Sequence, residues 1–183
     1  SAAQPACGSR PPAQCEERVA NPGIRARRAC CIGAGAAGLT CAKELLERGF
    51  EVVVIEAREG IGGVWRFDGS GHSVGVRTGQ RATSSKFYLG FSDFPIPDSA
   101  PDFVGHEDYL QYLEDYAKEF GVKEHIRFHT RVSGLRRGPN GNGWEVEWDC
   151  SGKHGREVFD AVAVCTGLHG TPDFPPPRGA PQP

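Results

Sequence analysis

The sequence is organised around one stretch, RACCIGAGAAG at residues 28–38. A short apolar run of strand length leads there into the spacing Gly-x-Gly-x-x-Gly, and residues 39–48 repeat apolar side chains at helical spacing. Gly49 is a helix stop signal, and the β-branched run at 51–55 predicts a second strand that leads into Glu56. A strand, a helix and a second strand within about 30 residues predict a βαβ unit of an α/β fold.

The three glycines of this loop have separate physical roles in a nucleotide-binding unit. Gly33 allows the tight turn out of the strand, Gly35 has no side chain to block a pyrophosphate, and Gly38 lets the helix lie close to the sheet. The helix begins with unpaired N–H groups and the positive end of its dipole, and both point at the phosphates in such units. A glycine-rich turn without function is the alternative, but the complete βαβ pattern favours a bound dinucleotide.

Glu56 narrows the choice of dinucleotide. Its carboxylate lies where it can accept hydrogen bonds from an adenosine ribose and disfavours a 2′-phosphate, which indicates FAD or NAD rather than NADP. An NAD dehydrogenase would continue with a further βα unit, whereas residues 62–104 have no sustained helical period and carry Gly, Ser and Pro throughout. Such a long irregular stretch is usually functional. Within it, Gly62-Gly63 allows close backbone approach and Trp65 can wall an apolar site.

The later segments predict a packing helix and a small antiparallel unit. Residues 106–120 predict a helix with one apolar face, and residues 125–132 predict a strand. Apolar and acidic side chains alternate over residues 144–148, which is typical of a half-buried strand, and residues 159–167 predict a buried strand that ends in small residues. We interpret the middle part as a β-meander inserted in the nucleotide fold, because no basic groove accompanies its aromatic side chains.

The composition is that of a soluble globular chain, with 38% hydrophobic and 24% charged residues and a net charge of −2. This balance excludes a strongly basic surface for nucleic acid, so we predict no nucleic-acid partner. No apolar run approaches the length of a membrane span, so we predict no membrane segment in this chain. The 7 cysteines are odd in number and include no CxxC, which favours reduced thiols over disulfides, and no metal site is predicted.

Several of these elements together resemble the N-terminal, FAD-binding part of the flavin-containing monooxygenases, the dimethylaniline-monooxygenase-like family. The resemblance covers about residues 28–172. Its motifs are Gly33-Ala34-Gly35-Ala36-Ala37-Gly38, Glu56, Gly62-Gly63-Val64-Trp65, Ser84-Ser85-Lys86 and Phe91-Ser92-Asp93-Phe94-Pro95. It implies an α/β fold of the FAD/NAD(P)-binding, Rossmann-like type, with a parallel sheet and a small inserted β-meander.

The resemblance also implies a set of cofactor-binding residues and no catalytic side chain. In the family, such residues surround the pyrophosphate, the ribose, one side of the flavin, the flavin edge that meets the nicotinamide, and the adenine, or they form the closing turn. They are Gly33, Ala34, Gly35, Ala36, Ala37, Gly38, Glu56, Ala57, Gly63, Val64, Trp65, Thr83, Ser84, Val132, Thr166 and Gly167. Animal members have Asn at the position of Thr83. A Thr lacks the two-sided hydrogen bonding of an amide, so the stability of an oxygenated flavin or the substrate preference could differ here from that of the animal members.

The implied activity is that of an NADPH-dependent monooxygenase with FAD and NADPH as cofactors. One oxygen atom of O2 would pass, through a C4a-hydroperoxyflavin, to a soft nucleophilic nitrogen or sulfur of a small amine or sulfide. Two alternatives stay open: an FAD-binding module or fragment without turnover, and another two-dinucleotide flavin oxidoreductase. A disulfide reductase would be favoured by a redox CxxC, which the sequence lacks.

We expect three parts along the chain. Residues 1–27 are rich in Ala, Pro and Arg and predict a disordered tail, residues 28–170 predict the FAD-binding domain, and residues 171–183 predict a Pro-rich linker. The chain begins at Ser1, contains no Met, and has no second GxGxxG after Gly167. We therefore expect a piece of a longer protein whose NADPH domain would follow. We expect a cytoplasmic location, with association of the full-length protein with the endoplasmic reticulum left open.

Overall fold

The computed structural model describes residues 27–67, 69 and 75–168. Nearly all of the predicted tail and the whole predicted linker lie outside the described residues. Within them, a parallel sheet has the strand order β3-β2-β1-β7. Its strands are β1 at Arg28–Ile32, β2 at Glu51–Ile55, β3 at Ile126–Arg127 and β7 at Ala161–Val164.

After their first residues, Arg28 and Glu51, the central strands β1 and β2 are apolar and buried because both faces of this sheet are covered. On one face, Cys31 and Val54 pack in a core cluster with the helices, and on the other face Cys30 and Val53 pack against the meander. This alternation follows from the two-residue period of a strand.

Two longer helices cover the first face of the sheet. Helix α1 at Ala36–Glu47 follows the glycine loop and is succeeded by Gly49, whose φ of 77° suits the turn out of the helix. Helix α3 at His106–Glu119 contributes Leu113 to the same core cluster as Leu39 of α1. A short helix, α2 at Lys86–Leu89, lies between them in the chain.

The meander covers the opposite face. Strands β4 at Thr130–Arg137, β5 at Trp144–Cys150 and β6 at Lys153–Phe159 pair antiparallel in the order β4-β5-β6. Val146 and Phe159 are fully buried against the parallel sheet. Since the meander lies between β3 and β7 in the chain, the predicted α/β architecture with a small inserted β-meander is confirmed.

Two predicted strands are divided in the structure. The predicted strand at 125–132 is interrupted at His129, whose φ is 53°, because the chain there leaves the parallel sheet for the meander. The predicted strand at 159–167 contains a corner at Asp160. Its backbone N–H donates to the carbonyl oxygen of Arg28 (2.9 Å), and its carboxylate accepts from the N–H of Arg28 (2.7 Å).

The irregular segment after the glycine pair is held by buried polar side chains. The ammonium of Lys86 donates to the carbonyl oxygens of Asp98 (2.7 Å) and Ala100 (2.6 Å). The hydroxyl of Tyr112 accepts from the N–H of Phe91 (2.7 Å) and donates to the carbonyl oxygen of Phe94 (2.6 Å). These bonds explain how a segment with little regular structure is held close to helix α3.

Over the described residues, no helix combines the length and the apolar character needed to cross a membrane.

Candidate functional site

A groove of about 440 Å³ opens at the carboxyl ends of strands β1, β2 and β7. In open α/β sheets, this edge is where ligands bind. The groove brings together eleven of the predicted cofactor-binding residues from four separate parts of the chain. They are Gly33, Gly35, Ala36, Ala37, Glu56, Ala57, Gly63, Val64, Trp65, Thr166 and Gly167.

Five predicted residues do not line the groove. Ala34 and Gly38 are buried next to the groove-lining residues of the loop, and Val132 is half-buried against the second core cluster. Thr83 and Ser84 are exposed just before helix α2. Their assignment to the flavin and nicotinamide stays a prediction.

Two glycines of the loop are required by the packing of the chain itself. Gly33 has a φ of 106°, and a Cβ added there would lie 2.5 Å from the carbonyl oxygen of Cys165. A Cβ on Gly38 would overlap the carbonyl oxygen of Gly33. The turn, the start of α1 and the end of β7 therefore fit together without spare space.

Gly35 differs from these two, since the fold does not demand a glycine there. Its φ is −79°, which any residue can adopt, and a Cβ would meet the Cα of Gly63 at 3.6 Å, an ordinary contact. Gly35 and Gly63 both line the groove. A side chain at residue 35 would therefore occupy part of the groove. With glycine there, this space stays open, and a ligand can approach the backbone closely.

The N-terminus of α1 is available to an anion. Gly35 occupies the N-cap position, no side chain caps the helix, and its first turn contains no acidic residue. The first N–H groups of a helix have no partner within the helix, and the dipole places partial positive charge at this end. Because Ala36 and Ala37 line the groove, this end of a 12-residue helix can bind a phosphate.

Glu56 connects the glycine loop to the end of β2. Glu56 as a residue is 8% exposed, and its carboxylate accepts from the N–H of Ala34 (2.7 Å) through Oε2 and from the N–H of Arg58 (2.8 Å) through Oε1. A carboxylate has about four lone-pair sites, so two bonds leave acceptor capacity for hydroxyl groups in the groove.

The Gly63–Trp65 turn is fixed from two sides. The guanidinium of Arg66 donates to the carbonyl oxygen of Ile61 (2.7 Å) and to the carboxylate of Glu114 on α3 (2.6 Å). The Trp65 ring lies 4.6 Å from the ring of Tyr109. These contacts hold an aromatic wall in place beside the groove.

The sequence interpretation missed several groove residues, among them Arg58 and Cys165. Arg58 donates to the carbonyl oxygen of Gly63 (3.1 Å), which links the end of β2 to the turn. No motif in the sequence predicts this contact. Cys165 could have been found, because it directly precedes the predicted Thr166–Gly167 turn.

The arrangement suits binding rather than side-chain catalysis. It combines a helix end for an anion, a buried carboxylate for hydroxyl groups and an aromatic wall for a planar group. No set of three or more His, Cys, Asp or Glu side chains in the described part of the chain is arranged to hold a metal ion.

Comparison with known proteins identifies relatives of this arrangement. The sequence pattern of a family described as flavin-binding monooxygenase-like matches residues 26–178. The chain is 41% identical over 154 residues to flavin-containing monooxygenase 5 of Oryctolagus cuniculus, covering 81% of this chain and 29% of that protein. It is 37% identical over 158 residues to dimethylaniline monooxygenase (N-oxide-forming) 2 of Macaca mulatta, covering 82% and 29%. The chain thus spans about 29% of the length of these curated relatives.

Solved structures show the same fold. S-allyl-L-cysteine S-oxygenase from Allium sativum matches with a TM-score of 0.70 and 31% identity, over 79% of this chain and 37% of that chain. The OTEMO complex with FAD and NADP matches with a TM-score of 0.66 and 27% identity, over 82% and 27%. With a family pattern that extends over most of its length, the chain belongs to the flavin-binding monooxygenase-like family.

Proposed function

We propose that this chain forms the FAD-binding part of an NADPH-dependent flavin monooxygenase that oxygenates soft nucleophilic nitrogen or sulfur atoms. The observation that carries the proposal is the groove in which the uncapped N-terminus of α1, the open space at Gly35 and the carboxylate of Glu56 meet. To bind a dinucleotide, a protein must hold the anionic pyrophosphate, let it approach the backbone closely and bind the hydroxyls of the ribose.

Each part of the groove would hold one part of FAD. Gly33 and Gly35, with the start of α1, would bind the pyrophosphate, and the remaining lone pairs of Glu56 would accept from the ribose hydroxyls. Val64 and Trp65 would lie beside the flavin. Arg58 would keep the Gly63–Trp65 turn in register with Glu56, because it bonds to Gly63 from the segment that follows β2.

The chemistry itself belongs to the cofactors: bound FAD accepts electrons from NADPH and activates O2. The protein binds the flavin, orients it and keeps water from it. In this account Thr83 and Ser84, which are exposed before helix α2, would face the edge of the flavin where the nicotinamide meets it. Residues 28–170 would form the FAD-binding domain between a tail at 1–27 and a linker at 171–183.

The names of relatives support both substrate classes. One relative is named for N-oxide formation and one solved neighbour for S-oxygenation of S-allyl-L-cysteine. Nitrogen and sulfur lone pairs are both soft nucleophiles, so a small tertiary amine or thioether is the substrate class that we propose.

Reconstitution with FAD tests the binding part of the proposal. The purified chain is mixed with excess FAD, separated from free ligand by gel filtration, and its visible absorption is recorded. We expect about one flavin per chain. The Gly35→Val variant should emerge colourless but folded, because its side chain fills the approach to the pyrophosphate. A colourless wild-type chain would overturn the proposal.

Turnover separates the monooxygenase from its alternatives. The FAD-loaded chain is given NADPH in air with a tertiary amine or a thioether, and NADPH loss and the N-oxide or sulfoxide are measured. NADPH-dependent product supports the monooxygenase. A flavin that NADPH never reduces supports a binding module without turnover, the alternative that Thr83 favours because it replaces an Asn of the resembling animal enzymes.

A further inference from the structure

An arginine with a free side chain lies at the edge of the groove. Arg131 is the second residue of strand β4, is exposed and lines the groove. Within the described residues, its guanidinium has no hydrogen bond and no ion pair. The residue that faces Arg131 across the sheet is Asp149, and the carboxylate of Asp149 contacts the imidazole of His154 instead. The charge of Arg131 is therefore left available to a ligand in the groove.

The backbone holds Arg131 next to Glu56. Thr130 donates its N–H to the carbonyl oxygen of Glu56 (2.9 Å), so that β4 begins directly beside the end of β2. On the other side of Arg131, Val132 packs into the core cluster between the meander and the parallel sheet. Because successive side chains of a strand point to opposite faces, the Arg131 side chain points away from this core. It is thus directed out of the meander at the place where the groove passes Glu56.

The two ends of the groove offer different groups to a ligand. Trp65 is the only aromatic side chain among the described residues that line the groove, and it packs against the core cluster on the helix side of the sheet. Arg131 comes from the meander, which covers the opposite face. A pyrophosphate at the start of α1 and a ribose at Glu56 would leave the adenine of FAD beyond Glu56, at the end away from Trp65. Arg131 supplies a planar group at that end.

We infer that Arg131 is a specificity residue for the adenosine half of FAD: its guanidinium stacks on the adenine and favours FAD over FMN, which has no adenosine. The inference rests on the proposed function. A guanidinium is planar and weakly hydrated and stacks on aromatic faces, whereas a lysine ammonium acts as a point charge. The other end of β4 shows the same kind of contact, because the guanidinium of Arg137 lies 4.2 Å from the centre of the Trp144 ring.

The competing role for Arg131 is an ion pair with a phosphate of the ligand. A phosphate requires positive charge, which lysine also supplies, while stacking requires the plane of the guanidinium. The two roles also differ in the ligand that they affect. A contact with adenine matters only for ligands that contain adenosine, and a contact with the phosphate next to the flavin matters for FMN as well.

Titration of matched variants with two flavins tests the inference. The full chain and its variants Arg131→Ala, Arg131→Lys and Arg137→Ala are titrated with FAD and separately with FMN, and flavin fluorescence gives each Kd. We expect Arg131→Ala to raise the Kd for FAD roughly 3- to 30-fold. Arg131→Lys should recover little of this loss. The affinity for FMN, or its lack of binding, should be the same in wild type and Arg131→Ala.

Arg137→Ala is the control for charge and stability. It removes the same charge from the same strand outside the groove, so it should bind FAD as the wild type does. Thermal unfolding should give Arg131→Ala the Tm of the wild type, because no contact of its guanidinium within the described residues is lost.

Each remaining outcome decides the matter. A wild-type Kd for FAD in Arg131→Ala, or an equal loss in Arg137→Ala, overturns the inference. Full recovery by Arg131→Lys, or an equal loss of FMN affinity, overturns it as well, because either result assigns Arg131 to a phosphate. Failure of the wild-type chain to bind FAD overturns the proposed function instead.

Discussion

Replacing Gly35 by alanine separates the demands of the ligand from those of the fold. The added Cβ would lie 3.6 Å from the Cα of Gly63, with a backbone φ of −79° that alanine accepts. The structure thus has room for one methyl group, while the groove loses the closest approach to its backbone. Gly105 offers a matched control, because it is also a helix N-cap without a side-chain bond, with a φ of −68° at the start of α3.

The two variants should destabilise the fold alike and differ in affinity. An alanine at an N-cap costs about 0.5–1 kcal/mol, which lowers Tm by roughly 1–4 °C in a domain of this size. At Gly105 the new Cβ meets only a carboxylate oxygen of Asp108 at 3.3 Å, the end of a flexible side chain. At Gly35 the methyl displaces a charge-assisted hydrogen bond worth about 1.5–3 kcal/mol, so FAD should bind roughly 10- to 150-fold more weakly.

Thermal unfolding and FAD fluorescence titration of the wild type and both variants measure these quantities. Similar Tm values with a loss of affinity in Gly35→Ala alone would support the groove as the pyrophosphate site. If Gly35→Ala bound FAD within a factor of about two of the wild type, or if Gly105→Ala weakened binding equally, the reasoning would be refuted.

Two further changes test the packing and the electrostatics of the fold. Gly33→Ala should lower Tm by at least about 6 °C or prevent folding, because it combines a strained φ with overlap onto the Cys165 carbonyl. A variant that unfolds at the wild-type Tm would contradict this. Although burial opposes it, hydrogen bonds from Arg127 and Arg28 lower the pKa of Glu157 below its usual 4.5. A carboxyl whose folded-state pKa is lowered stabilises the fold above its unfolded-state pKa and loses that contribution as the pH falls. Wild type should therefore be more stable than Glu157→Gln near neutral pH, and the difference in Tm should shrink below about pH 4.5; a constant difference would sink the assignment.

The fold was predictable where it depends on local pattern. The glycine spacing at 33–38, the apolar run before it and the β-branched run after it each specify their own conformation, so the βαβ unit could be predicted from the sequence. The division of the predicted strand at 125–132 could not, because the left-handed backbone at His129 arises where the chain passes from one sheet to another. Propensity alone gives no signal for such a transition.

The candidate site was predictable to a similar extent and for similar reasons. Glu56 follows a strand directly, so its place at the sheet edge was fixed by sequence neighbours. The contact of Arg58 with Gly63 depends on how the segment after β2 packs against the Gly63–Trp65 turn, which spacing in the sequence does not encode.

The most direct test of the central claim is whether the groove recognises the pyrophosphate and ribose of FAD. The reduced full chain is titrated with FAD and, separately, with riboflavin, which has the same ring system but no phosphate or adenosine. We expect saturable binding of about one FAD per chain and at least roughly hundredfold weaker binding of riboflavin, since two or more charge-assisted hydrogen bonds are lost. Equal affinity for the two ligands, or no binding of FAD, would contradict it.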